Sequence, residues 1–259
     1  MDYKTIAYEK VDSVGILSLN RPDSRNAMNT PMLIEMIDVL EKIEKDRGVR
    51  VLIINGKGSC FCAGADIAEM RDNTPDVQRQ MNDKFIKIFN AYESLRKPVI
   101  SSVHSYCLAG GTELTLCCDM VVASEDAVFG LPEIKIGVIP GGGALIRILR
   151  WMGSAKAKEF AMTGDRISAQ EALNIGLVNK VVKREKLEEA TMTLANKLVK
   201  GPPVALGALK VAMNMGGELD KEKGIAYALN EFLLLFTTRD QKEGMRAFLE
   251  KREANFIGE

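Results

Sequence analysis

Apolar positions come in short alternating or continuous blocks over the first 130 residues, interleaved with longer stretches at helical spacing. Residues 3–8 and 14–19 read as strands, and Arg21-Pro22 breaks the second block. Thr30-Pro31 predicts a helix start, with Thr30 as N-cap and Pro31 at the first helical position. Leu33, Met36, Ile37, Leu40 and Ile43 then make an apolar stripe. Val51-Leu-Ile-Ile54 predicts a buried strand ending at Asn55-Gly56. A second amphipathic helix follows Pro75, with Val77, Met81, Phe85, Ile88, Phe89, Tyr92 and Leu95 on one face.

The same alternation continues with a strand at Val99–Val103, a turn at Gly110-Gly111, a short helix, and strands at Met120–Ala123 and Ala127–Phe129. The blocks repeat strand, turn and helix, but the spacing is irregular and the strands are short for a doubly wound sheet. Beyond residue 140 nearly everything reads as helix. Ser168-Ala-Gln-Glu171 is a capping box, and Gly176 suits the stop of the helix it begins. Gly201-Pro-Pro203 is the best boundary, dividing residues 1–200 from a helical segment at 201–259 that packs on the core or on a neighbouring subunit. Three helical stretches fill that segment, the last opened by Thr238-Arg-Asp-Gln241.

Two glutamates stand out against this pattern. Glu113 sits in Leu108-Ala-Gly-Gly-Thr-Glu-Leu114, on an otherwise apolar helix, so it is either solvated near the helix end or buried for a purpose. Burial would raise its pKa toward the range useful for proton transfer. Glu133 closes Phe129-Gly-Leu-Pro-Glu133 and is open to a plainer reading as a surface partner of Lys135. Gly110-Gly111 and Ala63-Gly-Ala65 are small-residue turns; each can be mere packing, or can leave a backbone N–H free to meet an anion. Two free amides beside two carboxylates would stabilise an oxyanion while protons move, which points to an enzyme.

Other chemistries are disfavoured. Gly56-Lys-Gly58 fails the dinucleotide fingerprint because position 61 is Phe, and Gly141-Gly-Gly143 lacks the Gly-Lys-Ser/Thr of a phosphate loop. His104 is the only histidine, which excludes His-pair zinc motifs and weakens a Ser–His–Asp triad; a structural role is expected for it, and no metal. The 35 basic and 35 acidic residues cancel, and the 30–47 helix interleaves both signs, so neither nucleic acid nor a membrane surface is expected as a partner. An odd set of five cysteines, with neither a secretory signal nor an apolar run of spanning length, predicts a reduced cytoplasmic setting with the thiols as small apolar fillers.

Six segments in order resemble the enoyl-CoA hydratase/isomerase (crotonase) family across nearly the whole chain. They are Leu19-Asn-Arg-Pro22 with Asn26-Ala27, Phe61-Cys-Ala-Gly-Ala-Asp-Ile67, Leu108-Ala-Gly-Gly-Thr-Glu-Leu114, Phe129-Gly-Leu-Pro-Glu133, Gly137-Val-Ile-Pro-Gly141, and Glu243-Gly-Met-Arg-Ala-Phe-Leu-Glu-Lys251. The resemblance implies an α/β fold: a spiral core of ββα turns with a C-terminal helical segment that builds a homotrimer or homohexamer. It implies an acyl-CoA substrate, with coenzyme A entering as part of the thioester and no separate cofactor. By position it implies an oxyanion hole from the amides of Ala65 and Gly110, and CoA or substrate contacts from Arg25, Ala27, Ala63, Gly64, Asp66, Ile67, Gly111, Gly141 and Lys251. Because both glutamates are present, it implies hydration of a 2-enoyl-CoA by Glu113 and Glu133. Other reactions of the family stay open: cyclic or dienoyl-CoA hydration, double-bond isomerisation, or thioester hydrolysis. One departure bears on specificity. Pro140-Gly-Gly-Gly-Ala-Leu-Ile-Arg147 carries Leu145 and Ile146 where hydratases of the family often have polar residues, so Leu131, Leu145 and Ile146 are expected to form an apolar acyl wall.

Overall fold

Strands too short to be stable alone survive here because two sheets share one chain path. The computed structural model describes residues 2–259. The chain begins with β1 (Ile6–Val11), β2 (Val14–Leu19), α1 (Thr30–Lys45), β3 (Val51–Gly56), α2 (Ile67–Met70) and α3 (Pro75–Ser94). It continues through β4 (Val99–Val103), β5 (Tyr106–Leu108), α4 (Gly110–Leu116), β6 (Met120–Ser124), β7 (Val128–Gly130) and α5 (Ala144–Thr163). Then come β8 (Arg166–Ser168), α6 (Ala169–Asn174), β9 (Lys180–Val182), α7 (Leu187–Val199), α8 (Pro203–Gly216), α9 (Lys221–Leu235) and α10 (Arg239–Glu250).

The larger sheet runs β1-β2-β3-β4-β6-β9 and the smaller one β5-β7-β8. After the antiparallel β1–β2 hairpin, every pairing in the large sheet is parallel. Consecutive turns of the chain thus place one strand in each sheet before a helix returns. Cys62 extends the pattern through a parallel bridge to Cys107. Residues 51–54 are all buried because both faces of the large sheet are covered. Leu52 and Ile54 pack with the α1 and α3 side chains, whereas Val51 and Ile53 pack with Leu187 and Ala195 of α7.

Several local expectations hold and several shift. The first strand lies at 6–11 rather than 3–8. Residues 4–6 instead give their amides to the Glu35 carboxylate of α1, and the hairpin turns tightly at Asp12, whose φ is +51°. The N-cap of α1 is Asn29, not Thr30: Asn29 Oδ1 accepts from Met32 N at 3.1 Å, and Thr30 is already helical. Val77, expected in the α3 stripe, is 48% exposed in the first helical turn. The region after 140 also holds β8 and β9, three-residue strands too short to show a period. Both halves of the Ser168–Glu171 capping box form, Gly176 follows α6 at φ +83°, and Thr238 caps α10.

Three helices follow Gly201-Pro-Pro203. The first, α8, is tied to the core by Lys210, which is only 5% exposed. Its Nζ pairs with Asp119 at 2.8 Å and donates to the Tyr92 and Lys97 carbonyls. By contrast α9 and α10 leave Leu229, Phe232, Leu233, Leu234, Phe248 and Leu249 more than half exposed.

Candidate functional site

The site forms where two constrained turns meet. Met28 donates to the Gly64 carbonyl and accepts from Asp66 N, so it grips the residues on either side of Ala65. In a parallel bridge of this kind the amide of the middle residue points away from the partner strand. Gly64 needs to be glycine: its φ is +112°, and a Cβ would lie 2.6 Å from the Cβ of Ala109. Facing it, Ala109 adopts φ 51°, ψ −124° and starts α4 at Gly110. Such a conformation in a non-glycine residue costs about 1–3 kcal/mol and persists where surrounding structure fixes it. A Cβ on Gly110 would approach Met28 Cε at 2.7 Å and Ala65 N at 3.6 Å. The Ala65 and Gly110 backbones therefore stand side by side on the wall of one cleft of about 510 Å³.

Both glutamates line that same cleft. Glu113 lies in the first turn of α4 and is 5% exposed. Its Oε1 accepts from Gly142 N at 2.9 Å and Ala144 N at 3.1 Å, the amides that open α5. Burial pushes its pKa up, while those two amides and the nearby Arg147 cation pull it back. Glu133 sits in a single 3-10 turn, Pro132–Ile136. Its Oε2 is buried without a hydrogen-bond partner, and burial, reinforced by the Glu113 charge, raises its pKa to about 7. The surface-pair alternative for Glu133 fails, because Lys135 pairs with Asp165 instead. Two carboxyl groups in one cleft are thus held differently: Glu113 by two amides of a neighbouring turn, Glu133 by its own backbone N–H alone, which only partly offsets burial.

The remaining expected residues divide. Ala63, Ile67 and Gly141 line the cleft with Ala65 and Gly110. Asp66 borders it, capping α2 and pairing with Arg21 at 2.9 Å. Arg25 is exposed at φ +51°, and its carbonyl accepts from Ala63 N, which joins the Arg25–Ala27 turn to the cleft edge. Gly111 is buried behind the wall, where a Cβ would strike the Cys62 carbonyl. Lys251 ends α10 in the left-handed region and does not line the cleft of its own chain. Nor do Leu131, Leu145 and Ile146. Leu131 is fully buried behind the cleft, and Ile146 is 68% exposed on the outer side of α5. The apolar walls come instead from Met70, Phe85, Val138 and Ile139.

Sequence reasoning misses the job of Gly142 and Gly143: it finds no phosphate loop in Gly141-Gly-Gly143 and gives only Gly141, by resemblance, a substrate contact. A Cβ at Gly142 would clash with the Phe89 ring and stand 2.9 Å from Glu113 Oε2. The glycine run is the signal that something approaches the backbone there. His104 is buried, with Nε2 3.2 Å from the Gly58 carbonyl, outside the cleft. All five cysteines are free and buried. Among the described residues no cluster of His, Cys, Asp and Glu is arranged to hold a metal ion, and no helix is long and apolar enough to cross a membrane.

Residues 9–259 match the family described as enoyl-CoA hydratase/isomerase. The chain belongs to that family. Among its relatives, the crotonyl-CoA hydratase of Syntrophomonas wolfei is 41% identical over 258 residues, covering 99% of each chain. The short-chain-enoyl-CoA hydratase of Clostridium acetobutylicum is 40% identical, over 98% of this chain and 97% of that one. In three dimensions the enoyl-CoA hydratase of Bacillus anthracis superposes with a TM-score of 0.95 at 35% identity, over 99% of this chain and all of that one. The two-sheet spiral described above is therefore the crotonase fold of the enoyl-CoA hydratase/isomerase family.

Proposed function

We propose that the protein is an enoyl-CoA hydratase, adding water reversibly and syn across the C2=C3 bond of a 2-enoyl-CoA. The observation that carries this reading is the pair of cleft carboxyls in contrasting environments, on the same cleft as the Ala65 and Gly110 backbones. Glu113, held by two amide donors, suits the ionised state and takes a proton from water as the oxygen bonds to C3. The electron pair of the double bond moves through C2 to the thioester oxygen. There the amides of Ala65 and Gly110 stabilise the enolate, a contribution on the order of 3–4 kcal/mol per donor in comparable sites. Glu133, whose pKa near 7 leaves it substantially protonated at neutral pH, delivers its proton to C2. A proton returning from Glu113 to Glu133 through solvent resets the pair.

Within this reading coenzyme A enters only as part of the substrate. Ala63, Gly64, Asp66, Ile67 and Gly141 lie where the thioester arm would run, with Arg25 and Ala27 at the edge; Gly111 supports the wall from behind. Lys251 would reach a CoA only from a neighbouring subunit. The exposed apolar side chains of α9 and α10 support a homotrimer or homohexamer, since patches of that size seek a partner. Five unpaired thiols support a reducing, cytoplasmic setting.

The test is crotonyl-CoA hydration, followed as loss of enoyl absorbance, for the wild type beside Glu113→Gln and Glu133→Gln. Each substitution is expected to lower kcat by about 10²–10⁴-fold. Turnover that survives both, or a reaction in heavy-oxygen water that incorporates no label, would refute the hydratase assignment.

A further inference from the structure

The turn that holds Glu113 is itself held. Gly142 gives its N–H to Glu113 Oε1, and its carbonyl accepts from Arg147 Nη1 at 2.9 Å. The guanidinium is fixed in a two-pronged pair with Glu93 of α3, Nε to Oε1 at 2.8 Å and Nη2 to Oε2 at 2.6 Å. Nη2 also donates to Asn90 Oδ1 at 3.0 Å, one helical turn earlier on α3. The Arg147 side chain is 14% exposed, so this is a shielded ion pair rather than a solvated one. The turn is moulded to it: Gly143 has φ +102°, and a Cβ there would collide with Arg147 Nη1.

We infer that Arg147, oriented by Glu93, is the positioning residue for the Glu113 carboxylate, carrying the rigidity of α3 to it through Gly142. The effect on turnover rests on the hydratase reading; the geometry does not. Neither Arg147 nor Glu93 lines the cleft, so their action on the reaction runs through Gly142 to Glu113. The charged and titratable groups around that carboxylate are Arg147 from α5, Glu93 behind it on α3, Cys117 just past the end of α4, whose thiol donates to the Glu113 carbonyl, and Glu133 in the same cleft. Of these only Arg147 favours the ionised form, so its removal should raise the pKa of Glu113.

Arg147→Gln is expected to lower kcat about 100-fold, the scale seen when a reacting group is displaced by about an ångström, with KM within about twofold. The acid limb of its pH–rate profile should move upward. Glu93→Gln, which leaves the cation in place, should lower kcat less and not move the limb upward. In a Glu113→Gln background, Arg147→Gln should cost no more than about a further twofold, because the carboxylate it acts through is gone. Should Arg147→Gln not fold, Arg147→Lys retains charge without the fork and should lose kcat with the limb unmoved. Equal losses in both backgrounds, or an unmoved limb in folded Arg147→Gln, would overturn the proposal. Carbon NMR titration of the Glu113 carboxyl, assigned by its loss in Glu113→Gln, reads the same shift without substrate. A shifted titration in a protein that hydrates no enoyl-CoA would keep the positioning role and sink the hydratase reading, whereas no shift would sink the role.

Discussion

Glu133→Gln separates what the site does from what it costs the fold. Burial raises this carboxyl from an ordinary 4.5 to about 7, and Oε2 has no partner, so the folded protein favours the protonated form. The sign follows from linkage. Below pH 4.5 the group is protonated in both states and imposes no pH-dependent cost. Between pH 4.5 and 7 the unfolded chain ionises while the folded one resists, so stability falls as pH rises, and above 7 the loss levels off. A separation of 7 − 4.5 = 2.5 units, at about 1.4 kcal/mol each, gives about 3.5 kcal/mol, which solvent reaching this half-buried group trims to about 3 kcal/mol. Glutamine has the same shape and cannot ionise. The variant should therefore match the wild type at pH 4.5, apart from a constant offset, and gain up to about 3 kcal/mol relative to it by pH 8. Denaturant unfolding of both proteins at fixed concentration across that range measures the difference directly. Because most other titrating groups are common to both, their contributions cancel in the comparison. A stability difference that does not change with pH would refute the raised pKa, and with it the argument that Glu133 arrives at C2 carrying a proton.

Other perturbations follow from the same geometry. Gly142→Ala places a methyl against Phe89 and Glu113 Oε2; it should cost about 1–3 kcal/mol of stability by overpacking and lower kcat more than it raises KM, as steady-state kinetics would show. Lys210→Met leaves the half-buried Asp119 with the Val99 amide but without its cation and should destabilise by up to about 3 kcal/mol in denaturant titrations, with KM for crotonyl-CoA unchanged in the folded fraction. Leu145→Thr combined with Ile146→Gln should leave acyl-chain preference unaltered, since neither side chain lines the cleft, whereas Ile139→Ala should broaden it toward bulkier acyl groups; a panel of enoyl-CoAs of differing size decides.

The parts of this molecule that were legible in sequence are those where a residue answers to its immediate neighbours. The α1 and α3 stripes, the Ser168–Glu171 box and the Thr238 cap are all fixed within one or two turns of chain, and, Val77 apart, they are where the local pattern puts them. What was not legible depends on residues distant in sequence. β8 and β9 exist only because β7 and β6 lie ready to pair with them. The first strand slipped by three residues because Glu35, about thirty positions on, claims the amides of residues 4–6. The site shows the same division. Glu113, Glu133 and the small residues at 64, 65 and 110 were visible as anomalies in their own segments. The pattern of one segment points Leu145 and Ile146 to the acyl wall, but the direction in which α5 leaves the Gly141–Gly143 turn carries them away from the cleft. That turn has to leave in this direction, because its amides already serve Glu113 and its carbonyl already serves Arg147. A glycine run bound on both sides by side chains from α3, α4 and α5 has little freedom left, and the polarity of the residues after it says little about the cleft.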